Sequence, residues 1–251
     1  EGNHWLGSVS CNDSNQFMVV GSRSEANNTF GVFAQVFDNA GQAVDEAHPI
    51  NTDEMGGQVY PVAAYVSSTD MEGYLVVYED QQFPESGQVN RLKARFTSPT
   101  GAGMGETFFI SAEGASTTQP AISSIPGESI ALVTAAIDNQ RIGLFYVDPR
   151  DRSSRYRSGS RGPQHVQVSV ARHPSRDIFV YLNGVGSDAD LSLAQHGMDT
   201  GLEAAISIYE GNLPPYQTAL AITEGRAAAA VTQRIDNQNY AIRVIGFGYS
   251  E

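Results

Sequence analysis

The chain has 251 residues, 41% of them hydrophobic, a formal net charge of −13 and a single cysteine. That length and apolar content support one large core or two small ones, and a lone Cys11 excludes an internal disulfide and with it the disulfide-stapled miniproteins. The acidic balance, with Lys93 the only lysine, argues against nucleic acid as a partner, and no apolar run nears the roughly 20 residues that span a bilayer.

The chain opens on Glu1 without a signal-peptide pattern, which reads as a leader removed or as a segment of something longer. One apolar run returns five times: FMVV at 17–20, YLVV at 74–77, IALV at 130–133, IFVY at 178–181 and AAAA at 227–230. The starts lie 57, 56, 48 and 49 residues apart (74−17, 130−74, 178−130, 227−178). A strand is predicted before each run, at 5–10, 61–66, 120–125, 166–170 and 218–222, and another after it, at 32–37, 91–96, 142–147, 191–195 and 242–247. Fourth strands are predicted at 48–51, 108–111 and 206–209; that of the third copy lies somewhere in 150–161, and the fifth copy stops after its third strand.

Periods near 50 residues carrying four short strands are the signature of propeller blades. The reading is therefore all-β: a five-bladed β-propeller in one domain, residues 1–251, with four-stranded blades at about 1–58, 59–117, 118–163, 164–214 and 215–251. A pair of β-sandwiches is the structural alternative. The predicted first strands carry small residues (Gly7, Ser8, Ala63, Ala64, Ser123, Ser124, Ser169, Ala219, Ala221), which suits strands packed around a narrow channel.

The segments Gly31-Val-Phe-Ala-Gln-Val-Phe-Asp38, Gly41, Asn51-Thr52, Pro61-Val-Ala63 and Gly73-Tyr-Leu-Val-Val-Tyr78 form a pattern that the second copy keeps at Ala94-Arg-Phe96, Gly101 and Gln119-Pro120. This resembles the tandem blade repeats of large bacterial secreted or surface proteins and, more distantly, five-bladed propeller lectins. The resemblance implies a propeller and an extracellular or cell-surface location, periplasm included; it passes on no single chemistry.

None of the five predicted first strands contains Asp or Glu, so the paired carboxylates of a channel-mouth glycosidase are missing there. No nucleophile elbow, phosphate-binding loop or zinc motif occurs, and Asp188-Ala-Asp190 reads better as a turn than as a calcium ligand set. No metal or cofactor is expected. Two polar constellations remain. Asp80, Gln82, Asp138, Gln140, Asp236 and Gln238 follow second strands, while Tyr60, Gln119, His165 and Tyr216 precede first strands. In a propeller these positions emerge on one face, where amides, carboxylates and rings suit sugar; Asx-turns and inter-blade hydrogen bonds give the same pattern. Arg150, Arg152, Arg155, Arg157 and Arg161 form the other set, read either as a solvated loop or as a dock for an anionic glycan or an acidic protein neighbour.

The expectation for function is a non-enzymatic extracellular binding module for glycan or another surface polymer. A structural protein contacting protein neighbours is the alternative, and a polysaccharide-active enzyme comes third.

Overall fold

The computed structural model describes residues 4–24, 29–52, 56–81, 89–125, 127–138, 140–161, 165–173, 176–183, 190–197, 201–209, 218–223, 226–234 and 240–248. Among them the regular structure is entirely β. The strands are β1 (His4–Cys11), β2 (Phe17–Ser24), β3 (Phe30–Phe37) and β4 (His48–Pro49); β5 (Gly57–Ser68), β6 (Met71–Gln81), β7 (Arg91–Thr97) and β8 (Gly103–Phe109); β9 (Thr117–Ser123), β10 (Ala131–Ile137), β11 (Arg141–Asp148) and β12 (Ser153–Arg161); β13 (His165–His173), β14 (Arg176–Asn183), β15 (Asp190–Gly197) and β16 (Gly201–Tyr209); and β17 (Thr218–Thr223), β18 (Arg226–Arg234) and β19 (Tyr240–Gly248). Each group is an up-and-down meander paired in chain order, and one parallel pair, Phe30 with Gly57, joins the first two.

The five apolar runs lie on β2, β6, β10, β14 and β18, each flanked by the predicted neighbours. Two expectations need correction. The fourth strand of the second meander begins at Gly103 rather than 108, because Met104 pairs with Phe96 ahead of a register shift. The fourth strand expected somewhere in 150–161 is β12, paired with β11, so the arginine-rich segment is mostly strand and not the solvated loop that its composition suggests. Its hairpin is set by side chains, since Asp148 Oδ1 accepts the Arg150 N–H (3.0 Å) and Asp151 Oδ1 accepts the Ser153 N–H (3.0 Å). Arginine is tolerated on an edge strand because its stem lies along the sheet while its head stays in water.

The second strands read as continuous apolar runs where both of their faces are covered. β6 is buried from Gly73 to Asp80 and β10 along its whole length, whereas β2 alternates between buried and half-buried. One face of the second meander (Tyr74, Val76, Tyr78) packs against Met18, Val20, Val32, Ala34 and Val36 of the first. Each fully buried side chain of this size contributes about 1.5–3 kcal/mol.

The sequence repeat is a repeat of hydrogen bonds. Asn51 Oδ1 accepts the Val32 N–H (2.8 Å) as Ser111 Oγ accepts that of Leu92 (2.9 Å). Asp38 Oδ1 accepts the Gln42 N–H (2.8 Å) as Ser98 Oγ accepts that of Ala102 (3.1 Å), each around a turn closed by a left-handed glycine, Gly41 or Gly101. Gln35 donates to the Asp45 carbonyl (3.2 Å), and its counterpart Arg95 donates through Nε to that of Gly105 (2.9 Å).

Backbone packing divides the chain into two compact units, Glu1–Ala131 with Tyr146–Arg155, and Leu132–Phe145 with Tyr156–Glu251. In the first unit successive first strands are neighbours, β1 beside β5 and β5 beside β9. A Cβ on Gly7 would collide with the Pro61 carbonyl, so glycine is required at that approach. Ser8 Oγ accepts the Ala63 N–H and Ser10 Oγ that of Tyr65, both at 2.9 Å, and the Ser124 hydroxyl donates to the Tyr65 carbonyl. The small first-strand residues thus do structural work, offering hydroxyls to the next strand's backbone. In the second unit β13 likewise lies beside β17.

Candidate functional site

The start of β5 pairs with the end of β6, Gln58 opposite Asp80 and Val59 opposite Glu79. This puts the entry to a first strand and the exit of a second at one end of the sheet, as expected. A register shift between Val59 and Val62 bulges β5 there, with Tyr60 in the left-handed region (φ 51°) and its side chain 59% exposed. Gln119, at the matching position of β9, is also left-handed (φ 54°). Non-glycine residues at such angles are uncommon, cost of order 1–3 kcal/mol and gather at functional sites.

Adjacent strand residues point to opposite faces, and β6 places two buried carboxylates back to back. Asp80 Oδ2 lies 3.0 Å from Lys93 Nζ, and its Oδ1 accepts from Gln58 Nε2 (3.2 Å). Asn51 Nδ2 in turn donates to Gln58 Oε1 (3.2 Å), and Lys93 Nζ sits 4.7 Å from the Phe109 ring centre. Every member of this chain is neutralised or hydrogen-bonded, so it ties strands together. Asp80, expected to face a ligand from a loop, is instead enclosed within a strand.

Glu79 has no cation among the described residues. Its carboxylate accepts the Gln119 backbone N–H at 2.6 Å and the Gln81 side-chain amide at 3.3 Å, and it is only 1% exposed. Burial holds its carboxyl above the ordinary glutamate range, and the two hydrogen bonds offset that rise in part. The left-handed turn at Gln119 is what aims that N–H at the carboxylate.

Of the other expected residues, Asp138 follows β10 in the left-handed region (φ 51°), with Arg141 Nη2 3.5 Å from its carboxylate. Gln140 is exposed and closes that turn by donating its N–H to the Ile137 carbonyl (3.0 Å). His165 opens β13 opposite Asn183. Gln82, Tyr216, Asp236 and Gln238 lie outside the described residues. The structure therefore brings together Tyr60, Asp80 and Gln119, and adds Glu79, Gln58 and Lys93, which the loop-based reading passed over. Two signals pointed to them: the chain's single lysine sits in an apolar strand and needs a buried anion, and the run Tyr78-Glu79-Asp80-Gln81 continues an apolar strand without a glycine or proline to end it. Among the described residues no cluster of His, Cys, Asp and Glu could hold a metal ion, and no helix is long and apolar enough to cross a membrane.

Among solved structures the chain is similar to an exo-β-1,3-galactanase from Clostridium thermocellum, at 10% identity and a TM-score of 0.63, over 97% of this chain and 59% of that one. It is similar also to a Trypanosoma rangeli sialidase in complex with sialic acid (10% identity, TM-score 0.58, 96% of this chain and 44% of that one) and to an N-acetylgalactosamine deacetylase from F. plautii (8%, 0.58, 98% and 90%). Its fold is of the β-propeller kind. The chain spans less than two thirds of the galactanase and less than half of the sialidase. No family model and no curated protein matches it, so the likeness to tandem surface repeats has no family match behind it.

The functional expectation is corrected here. A non-enzymatic binding module was the first reading, but the solved structures sharing this fold include exo-galactanases, sialidases and a deacetylase, which favour the enzyme reading instead. The first strands carry no carboxylate, whereas the enclosed Glu79, with no cation among the described residues, stands on a second strand.

Proposed function

We propose that the chain is a polysaccharide-active enzyme built as one propeller of five blades, working outside the cell or at its surface, with Glu79 as the proton donor. The observation that carries this reading is the Glu79 carboxyl itself: enclosed, without a cation, and held above the ordinary range by burial. Breaking a glycosidic bond requires a carboxylic acid that keeps its proton near the working pH and gives it to the departing oxygen, while water, delivered by a base or after a carboxylate nucleophile, takes the anomeric carbon; Glu79 is assigned the first of these roles alone. Desolvation is the means by which a glutamate acquires that property. The neighbouring left-handed residues Tyr60 and Gln119 support the same end of the sheet as the working end. The fold shared with galactanases and sialidases supports carbohydrate as the substrate class.

The test is release of reducing sugar from a panel of β-1,3-galactan, xyloglucan and polygalacturonate. Wild-type protein cleaves at least one of them, and Glu79→Gln lowers that rate by about 10²–10⁴ while remaining folded. A wild-type chain inert on every polysaccharide offered, or a Glu79→Gln variant as fast as wild type, sinks the proposal.

A further inference from the structure

β12 is the outermost strand of its sheet, in the order β12-β11-β10-β9, and it is the cationic exception on an acidic chain. Its arginines have different fates. Arg150, in the preceding turn, is spent: its guanidinium grips Asp148 through Nε (3.0 Å) and Nη2 (2.6 Å), which holds the Asp148 carboxyl below the usual range. The turn's other carboxylate, Asp151, accepts the Ser153 N–H. Arg152, Arg155 and Arg157 are exposed, and none has a carboxylate partner among the described residues. Arg152 occupies the left-handed region (φ 56°) with its guanidinium beside Gly105, where a Cβ would collide with it. Arg155 and Arg157 fall two apart on the strand and so project to one side, about 6–7 Å apart along it. Tyr156 points the other way, its ring 5.4 Å from that of Phe145.

We infer that this strand binds an anionic polysaccharide, one bearing carboxylate or sulfate groups, and that the substrate of the enzyme belongs to that class. The inference rests on the glycan reading above. Two guanidiniums on one side of the strand, Arg155 and Arg157, without a carboxylate partner among the described residues and with Arg152 in the turn before them, offer paired N–H donors to planar or tetrahedral anions at successive points along a polymer. The chain's net charge of −13 disfavours polyanions over the surface at large, and five of its fifteen cationic residues fall in the twelve positions 150–161, which makes this strand a favourable landing place for a polymer that binds through charge.

The experiment measures binding, not turnover, with dextran sulfate and polygalacturonate as probes and neutral dextran as control. Wild type is expected to bind one of the two charged polymers, which distinguishes sulfate from carboxylate, more weakly as salt rises from about 50 to 200 mM, and to ignore neutral dextran. R155A/R157A should weaken binding at least about tenfold with its melting temperature unchanged. Should that variant aggregate because the edge has lost its charge, R155K/R157K carries the test: it keeps the charge but loses the planar fork, and weaker binding is again expected. No binding to either polymer, full binding by the variants, or equal retention of double-stranded DNA overturns the inference. A chain that binds through β12 and cleaves nothing sinks the Glu79 proposal, and with it the substrate class, while binding at β12 stands; one that cleaves a neutral polysaccharide and binds neither probe sinks this inference alone.

Discussion

Glu79 and Asp80 are neighbours in sequence and equally enclosed, yet their surroundings set opposite roles. Asp80 has a lysine and an amide; Glu79 has two N–H donors and no positive charge. A carboxyl whose folded-state pKa lies above its unfolded value makes the fold less stable as pH rises through the interval between the two, and the deficit persists above it. Glu79→Gln keeps an oxygen for the Gln119 N–H and removes that deficit. The variant should therefore melt higher than wild type at neutral pH, with the gap closing in acid, as followed by thermal denaturation across pH. A lower melting temperature at neutral pH would mean that the ionised carboxylate holds the fold together and is not a strained donor.

Elements explain what the sequence disclosed and what it hid. The five second strands were legible because β6 and β10 are covered on both faces and so read as unbroken apolar runs. The D-x-x-G turn was legible because Asp38 and Gly41 each perform a local job that few residues perform. β12 was legible only from the repeat, which requires a fourth strand within 150–161: arginine and serine carry no strand pattern to place it, and its pairing with β11 does. The site was hidden for a related reason. A loop was inferred from the polar letters after Tyr78, whereas the strand runs on to Gln81 and buries them. Lys93 on β7 is the clearest consequence. Lys93→Met removes the cation from the enclosed Asp80, a loss of about 3–5 kcal/mol by chemical denaturation. The double variant with Asp80→Asn should recover much of that loss; equal damage in single and double variants would contradict the pairing.

At the scale of the whole molecule, similarity to carbohydrate enzymes at 8–10% identity means that the architecture is kept by hydrogen-bonded strand ends and packed faces, with few letters in common. Chemistry must then be argued from this chain's own groups. The five first strands lack carboxylates, and at the sheet end of the first unit Glu79 on β6 is an enclosed carboxylate without a cation among the described residues. The most direct test of that assignment is the pH dependence of kcat/KM for polysaccharide cleavage. The account predicts a fall on the alkaline side, at a pH above the ordinary carboxylate range, as Glu79 gives up its proton, and no such limb in the residual activity of Glu79→Gln. An alkaline limb that survives in Glu79→Gln would contradict it.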